Sequence, residues 1–138
     1  MSLASDTVKR FIRLYSDGTP ETYGSDAFLE VFSPNVDWAV APSNGHPAGL
    51  RGNREVLRKD LELNASYLRN RNIHLLEIVE QGNKVAWTGR YTAIVAREGL
   101  PLPKGSELAV ELAVFSDVVN GLIVKQREYP TLAISSGT

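Results

Sequence analysis

The chain has 138 residues, 43% apolar and 22% charged, which fits one globular domain with its own core and excludes a disordered chain. Fifteen basic residues against sixteen acidic ones leave a net charge of -1, which argues against a role on nucleic acid or on an anionic membrane, since both need clustered positive charge. There is no cysteine, so disulfides and thiolate zinc sites are excluded, and no apolar run approaches the length of a membrane span.

The chain is read as one domain over residues 1–138, and the absence of a signal-type leader at Met1 points to the cytoplasm. The first helix is expected from Ser5 to Asp17, where Val8, Phe11, Ile12 and Tyr15 recur at helical spacing, with Ser5 as cap and Gly18 just past the end. A second helix is expected from Ser25 to Phe32, ended by Pro34. Val36 to Ala41 reads as a short strand, and the Pro/Gly/Asn-rich stretch Pro42 to Gly52 as a loop. A third helix is expected from Asn53 to Asn70, burying Leu57, Leu61, Ala65 and Leu68 and wetting Arg54, Glu55, Arg58, Lys59 and Glu62.

From Ile73 the apolar period changes to two. Strands are expected at Ile73–Glu80 and Lys84–Glu98, with a turn at Gln81–Asn83 and a loop at Gly99–Gly105. The segment Ser106–Tyr129 is a hairpin folded at Asn120-Gly121, the strongest short-range hairpin signal. Its first strand has two mostly apolar faces, Leu108/Val110/Leu112/Val114 and Ala109/Glu111/Ala113/Phe115, so it is expected to be covered on both sides. A homodimer through the first set, joined by Trp87 and Tyr91, would supply one cover. Helices first and strands after them give an α+β fold. The expected architecture is a curved antiparallel sheet wrapped as a cone round three N-terminal helices, open at its mouth to a small hydrophobic organic ligand.

Charged groups on that sheet are the candidate machinery. If Arg90 faces the cone, so does Thr92; if Glu111 does, so do Ala113 and Phe115; if Glu128 does, so does Gln126. An arginine and two glutamates converging in an apolar cleft would perturb one another's pKa, although an ion pair that only fixes the sheet reads equally well. His46, in the loop near the mouth, is an acid–base candidate or an exposed loop residue. Phe11, Tyr15 and Trp38 are candidate pocket walls, with core packing as the plainer alternative. Two histidines without acids at ligand spacing point to no metal site, and no cofactor is expected.

The element order, with Phe32–Trp38, Gly49–Gly52, Gln81–Val85 and Asn120–Tyr129, resembles the nuclear transport factor 2-like superfamily and, within it, the SnoaL-like group. The resemblance covers nearly the whole chain and implies the cystatin-like cone. It implies cofactor-independent chemistry of the isomerase, cyclase, dehydratase or hydrolase type, or a binding or assembly module with no chemistry. A ketosteroid isomerase pattern falls on Phe11, on Val40 or Ala41, and on Glu111, of which only Glu111 can move a proton. An epoxide hydrolase pattern falls on Arg90, Thr92 and Glu128, with threonine where an acid belongs. The resemblance thus implies Arg90 as a substrate-orienting group and Glu111 and Glu128 as proton carriers, with His46 as helper.

Overall fold

The computed structural model describes residues 3–16, 29–43, 46–99 and 102–132. Within them lie α1 (Ala4–Tyr15), β1 (Phe32–Val40), β2 (Leu50–Gly52), α2 (Arg54–Tyr67), β3 (Leu68–Gln81), β4 (Lys84–Val95), β5 (Glu107–Val119) and β6 (Leu122–Leu132). One six-stranded sheet carries the order β2-β1-β6-β5-β4-β3. The four C-terminal strands form the expected meander, and Asn120 and Gly121, at φ 52° and 77°, make the turn that reverses β5 into β6. The sheet is not purely antiparallel, because β1 runs parallel to β6. The two are joined through α2 and four further strands, and so long a crossover permits the parallel alignment that a tight hairpin forbids.

Two helices stand among the described residues, against three expected. Of the expected helix Ser25–Phe32, residues 25–28 lie outside the described ones, Leu29 is helical, and Phe32 opens β1 instead. Pro34 pushes Ser33 into extended backbone, and the missing N–H falls where the β1–β6 register shifts between Phe32 and Asp37. The stretch read as a loop hides β2, which pairs antiparallel with β1 through Trp38 opposite Gly52. Asn53 caps α2, its side chain accepting from the N–H groups of Glu55 and Val56 at 3.0 and 3.3 Å. The helix ends at Tyr67, and Leu68 is already extended, so α2 passes into β3 without a loop. Two register shifts bend β3, at Arg69/Asn72 with Asn70 at φ 53° and at Leu75/Glu77.

The core lies on one face of the sheet. Val8, Phe11 and Ile12 of α1 and Leu57 and Leu61 of α2 pack with Val85, Trp87, Tyr91, Val114 and Ile123. Ser5 N–H donates to Glu80 at 2.6 Å and Ile73 N–H to Ser16 Oγ at 2.9 Å, tying both ends of α1 to β3. Of the stripe expected at a subunit interface, Val114 lies in the core with Trp87 and Tyr91, and Leu108, Val110 and Leu112 are partly buried against that core, on the helix side of the sheet. Cross-strand register explains it, since Trp87 sits opposite Val114 and Tyr91 opposite Val110, and aromatics of that size bind the sheet to α1. Among the described residues no helix is long and apolar enough to cross a membrane.

Gly89 marks a tight point of the inner face. A Cβ there would stand 2.8 Å from the Trp87 ring and 3.0 Å from the His74 carbonyl oxygen. Gly89→Ala is expected to destabilise the fold by about 1–3 kcal/mol, read as a lower urea midpoint at unchanged slope.

Candidate functional site

The parallel pair β1–β6 sets Trp38 opposite Gln126 and Val40 opposite Glu128, while β5 sets Ser116 opposite Gln126 and Val114 opposite Glu128. Strand alternation then turns Trp38, Ser116, Gln126 and Glu128 to the inner face together. They form one hydrogen-bonded chain. Trp38 Nε1–H donates to Glu128 Oε2 at 2.8 Å, and Gln126 Nε2–H donates to the same oxygen at 2.8 Å. Ser116 Oγ–H donates to Gln126 Oε1 at 2.9 Å. Among the described residues, Glu128 Oε1 makes no hydrogen bond.

A second pair stands in electrostatic reach of this carboxyl. His46 Nε2 meets Asp60 Oδ1 of α2 at 2.8 Å, with the imidazole partly exposed and the carboxylate largely enclosed. The Asp60 hydrogen bond raises the His46 pKa above its ordinary value, against the opposing cost of burial, and the charges of Asp60 and Glu128 add to the rise. Burial raises the Glu128 pKa, and the Trp38 and Gln126 donors pull it back. The Asp60 charge pushes it further up, while His46 draws it down. The same inner face carries Arg71, 1% exposed, its guanidinium centre 4.7 Å from the Tyr15 ring centroid.

Trp38, Gln126, Glu128 and His46 are thus brought together, but other expected site residues are not. Arg90 and Glu111 are paired across β4 and β5 on the opposite face, at 3.5 Å and with 45% and 46% of their side chains exposed. The reason is alternation: Gly89 and Tyr91 point inward, so Arg90 and Thr92 point outward, and Glu111, Ala113 and Phe115 follow them. The expectation that these five line the cone is corrected, and an ion pair so exposed is worth about 0–1 kcal/mol. Phe11 and Tyr15 lie in the aromatic packing under α1: Phe11 meets Phe32 at 5.4 Å, and Tyr15 meets Tyr91 at 5.9 Å between centroids.

No family model matches the chain, and no curated protein matches it in sequence. Solved structures do. IdmH of Streptomyces antibioticus, provisionally a polyketide cyclase, superposes with a TM-score of 0.76 at 20% identity, over 94% of this chain and 92% of that one. A nuclear transport factor 2-like protein of Burkholderia thailandensis gives 0.69 at 17% identity, over 94% and 92%. A SnoaL-like protein of Jannaschia, also provisionally a polyketide cyclase, gives 0.66 at 14% identity, over 94% and 88%. The chain has the nuclear transport factor 2-like, SnoaL-like fold. At these identities the likeness extends to the fold alone.

Within this SnoaL-like fold, three interior polar residues escaped sequence reasoning. Asp60 stands three residues after Leu57 and one before Leu61, on the edge of the buried stripe of α2, and that spacing was the available signal. Ser116 is two residues beyond Val114, so it was findable once the inner face was chosen correctly. Arg71 lies within the bulged start of β3, ahead of the expected strand, and alternation back from Ile73 would have found it. Two clefts, about 310 and 480 Å³, open elsewhere, one beside Arg54 and Arg58 and one beside Thr7 and Asn120. Neither is lined by Glu128, His46 or Asp60.

Both raised pKa values favour the protonated native state. The stabilisation from Glu128 is full below its ordinary value of 4.5 and is lost as pH rises through its folded value; that from His46 is full below 6.5 and is lost likewise. Glu128→Gln keeps an oxygen for the Trp38 and Gln126 donors and removes the charge. Its melting temperature is expected to match that of the wild type in acid and to exceed it increasingly as pH rises, in melts from acid to mildly basic buffer.

Proposed function

We propose that this protein is a cofactor-independent acid–base enzyme acting on a small, largely hydrophobic carbonyl compound, by isomerisation or cyclisation through an enol. The observation that carries the reading is the His46–Asp60 pair standing in electrostatic reach of Glu128 on the inner face of β6, with one carboxylate oxygen of Glu128 lacking a hydrogen bond among the described residues. A carboxyl whose pKa is raised by burial is a stronger base when ionised, and an imidazole whose pKa is raised by a carboxylate keeps its proton to higher pH than a free one. Glu128 would take a proton from the carbon beside the substrate carbonyl. His46, steadied by Asp60, would give its proton to the carbonyl oxygen. The product is the neutral enol, which is reprotonated elsewhere or attacks a second carbonyl. The SnoaL-like fold supports the reading, since two of the superposed proteins are named provisionally as polyketide cyclases. A chain without cysteine needs no oxidising compartment to fold, and the cytoplasm is part of the same proposal.

The test is deuterium uptake by α-tetralone, a small aromatic ketone whose exchange in neutral buffer is slow. The wild type is expected to accelerate it, and Glu128→Gln and His46→Ala are each expected to lose about 10²-fold or more. Binding of the ketone without exchange would replace the enzyme by a ligand-binding module.

A homodimer belongs to the same reading, through the outer face of the sheet and not the stripe beneath the helices. Phe115 and Tyr129 stand there edge to face at 5.9 Å, 54% and 49% exposed, flanked by the Arg90–Glu111 and Asp37–Arg127 ion pairs. An aromatic centre ringed by both signs of charge is suited to a second copy of itself. Sedimentation at micromolar concentration should give a dimer, and Phe115→Glu a folded monomer; a monomeric wild type would remove this part.

A further inference from the structure

We propose that Ser116 and Gln126 are positioning residues that orient Glu128 so that Oε1 alone gains and loses its proton. The inference rests on the acid–base reading of Glu128 and deepens it.

The argument starts from Trp38, whose indole N–H can only donate. Glu128 Oε2 must therefore accept from it, at 2.8 Å. Gln126 meets the same oxygen at 2.8 Å, and since an ionised carboxylate can only accept, the amide NH₂ of Gln126, not its carbonyl, faces it in that state. The carbonyl of Gln126 is then turned to Ser116, and the serine hydroxyl must donate, at 2.9 Å. With Glu128 ionised, every direction in the chain follows from a carboxylate that can only accept and an indole that can only donate. Both donors act on Oε2, so Oε1 carries the exchangeable proton.

Burial makes the arrangement costly to hold by chance. Gln126 is 0% exposed and Ser116 2%, on a face otherwise built from Val114, Val118 and Ile123. An unsatisfied amide or hydroxyl there is costly, which favours the state in which both residues keep their partners. The groups facing the carboxyl come from four elements: Trp38 from β1, Gln126 from β6, Asp60 from α2 and His46 from the loop between β1 and β2. Ser116, on β5, touches Glu128 only through Gln126. Without the Ser116 hydroxyl the Gln126 amide is free to turn its carbonyl toward Glu128. The ionised carboxylate then loses a donor and its protonated form gains an acceptor, so both effects move the titration upward.

The experiment titrates Glu128 directly, by carbon NMR on protein with isotope-labelled glutamate, its signal identified by loss in Glu128→Gln. In Ser116→Ala and Gln126→Leu the Glu128 midpoint is expected to rise by about one pH unit. In Ser116→Thr, which keeps the hydroxyl, it should stay near the wild-type value. In the wild type the side-chain NH₂ protons of Gln126 should shift in step with Glu128, and this reading decides the matter if the variants do not fold. A midpoint unmoved in Ser116→Ala, or a Gln126 amide indifferent to the titration, overturns the proposal. A moved midpoint with no α-tetralone exchange supports the positioning role and removes the enzyme; exchange with an unmoved midpoint does the reverse.

Discussion

The site depends on the parallel seating of β1 against β6. These strands are far apart in the chain, and only their pairing brings Trp38 over Gln126 and Val40 over Glu128. The antiparallel β5 adds Ser116 to the same inner row. Three strands from three parts of the sequence thus fix one carboxyl oxygen from two sides, and no loop is needed to aim it. Catalytic groups on strands are held more closely than groups on loops. The histidine sits on a loop, and it too is tied, by Asp60, to a helix that packs on the sheet.

Charge placement divides the protein into two electrostatic regions. Outside, Arg90–Glu111, Asp37–Arg127 and Lys84–Asp117 alternate sign along the sheet, in water and individually weak. Inside, with less screening, the charges of Asp60 and Glu128 raise the proton affinity of His46, while Asp60 raises and His46 lowers that of Glu128.

Much of the fold was legible in the chain. The Asn120-Gly121 hairpin, the stripes Val8/Phe11/Ile12 and Leu57/Leu61, and the alternation from Lys84 onward carry it almost alone. The site was legible in halves. His46, Trp38, Gln126 and Glu128 were singled out, yet Arg90 and Glu111 were assigned to the wrong face. Periodicity of two tells which residues share a face and never which face is inside. On β5 both faces are apolar, so composition could not break the tie, and the choice rested on a charged pair that seemed to need burial. What decides it is Trp87 opposite Val114, a packing fact spread over two strands. The bulges in β3 were hidden for a related reason: Asn70 and Leu76 interrupt the period without a proline or glycine to announce it.

The direct passage of α2 into β3 at Tyr67 and Leu68 has a consequence for how this chain can change. A loop absorbs an inserted residue; a junction without one transmits it. One residue added there would either unwind the last turn of the helix or slide β3 by one position, exchanging Arg71 and Ile73 for their neighbours on the inner face. The helix that carries Asp60 and the strand that carries Arg71 are therefore held in a fixed phase. Length variation in this protein should collect at the hairpin ends and between β4 and β5, and leave this seam untouched.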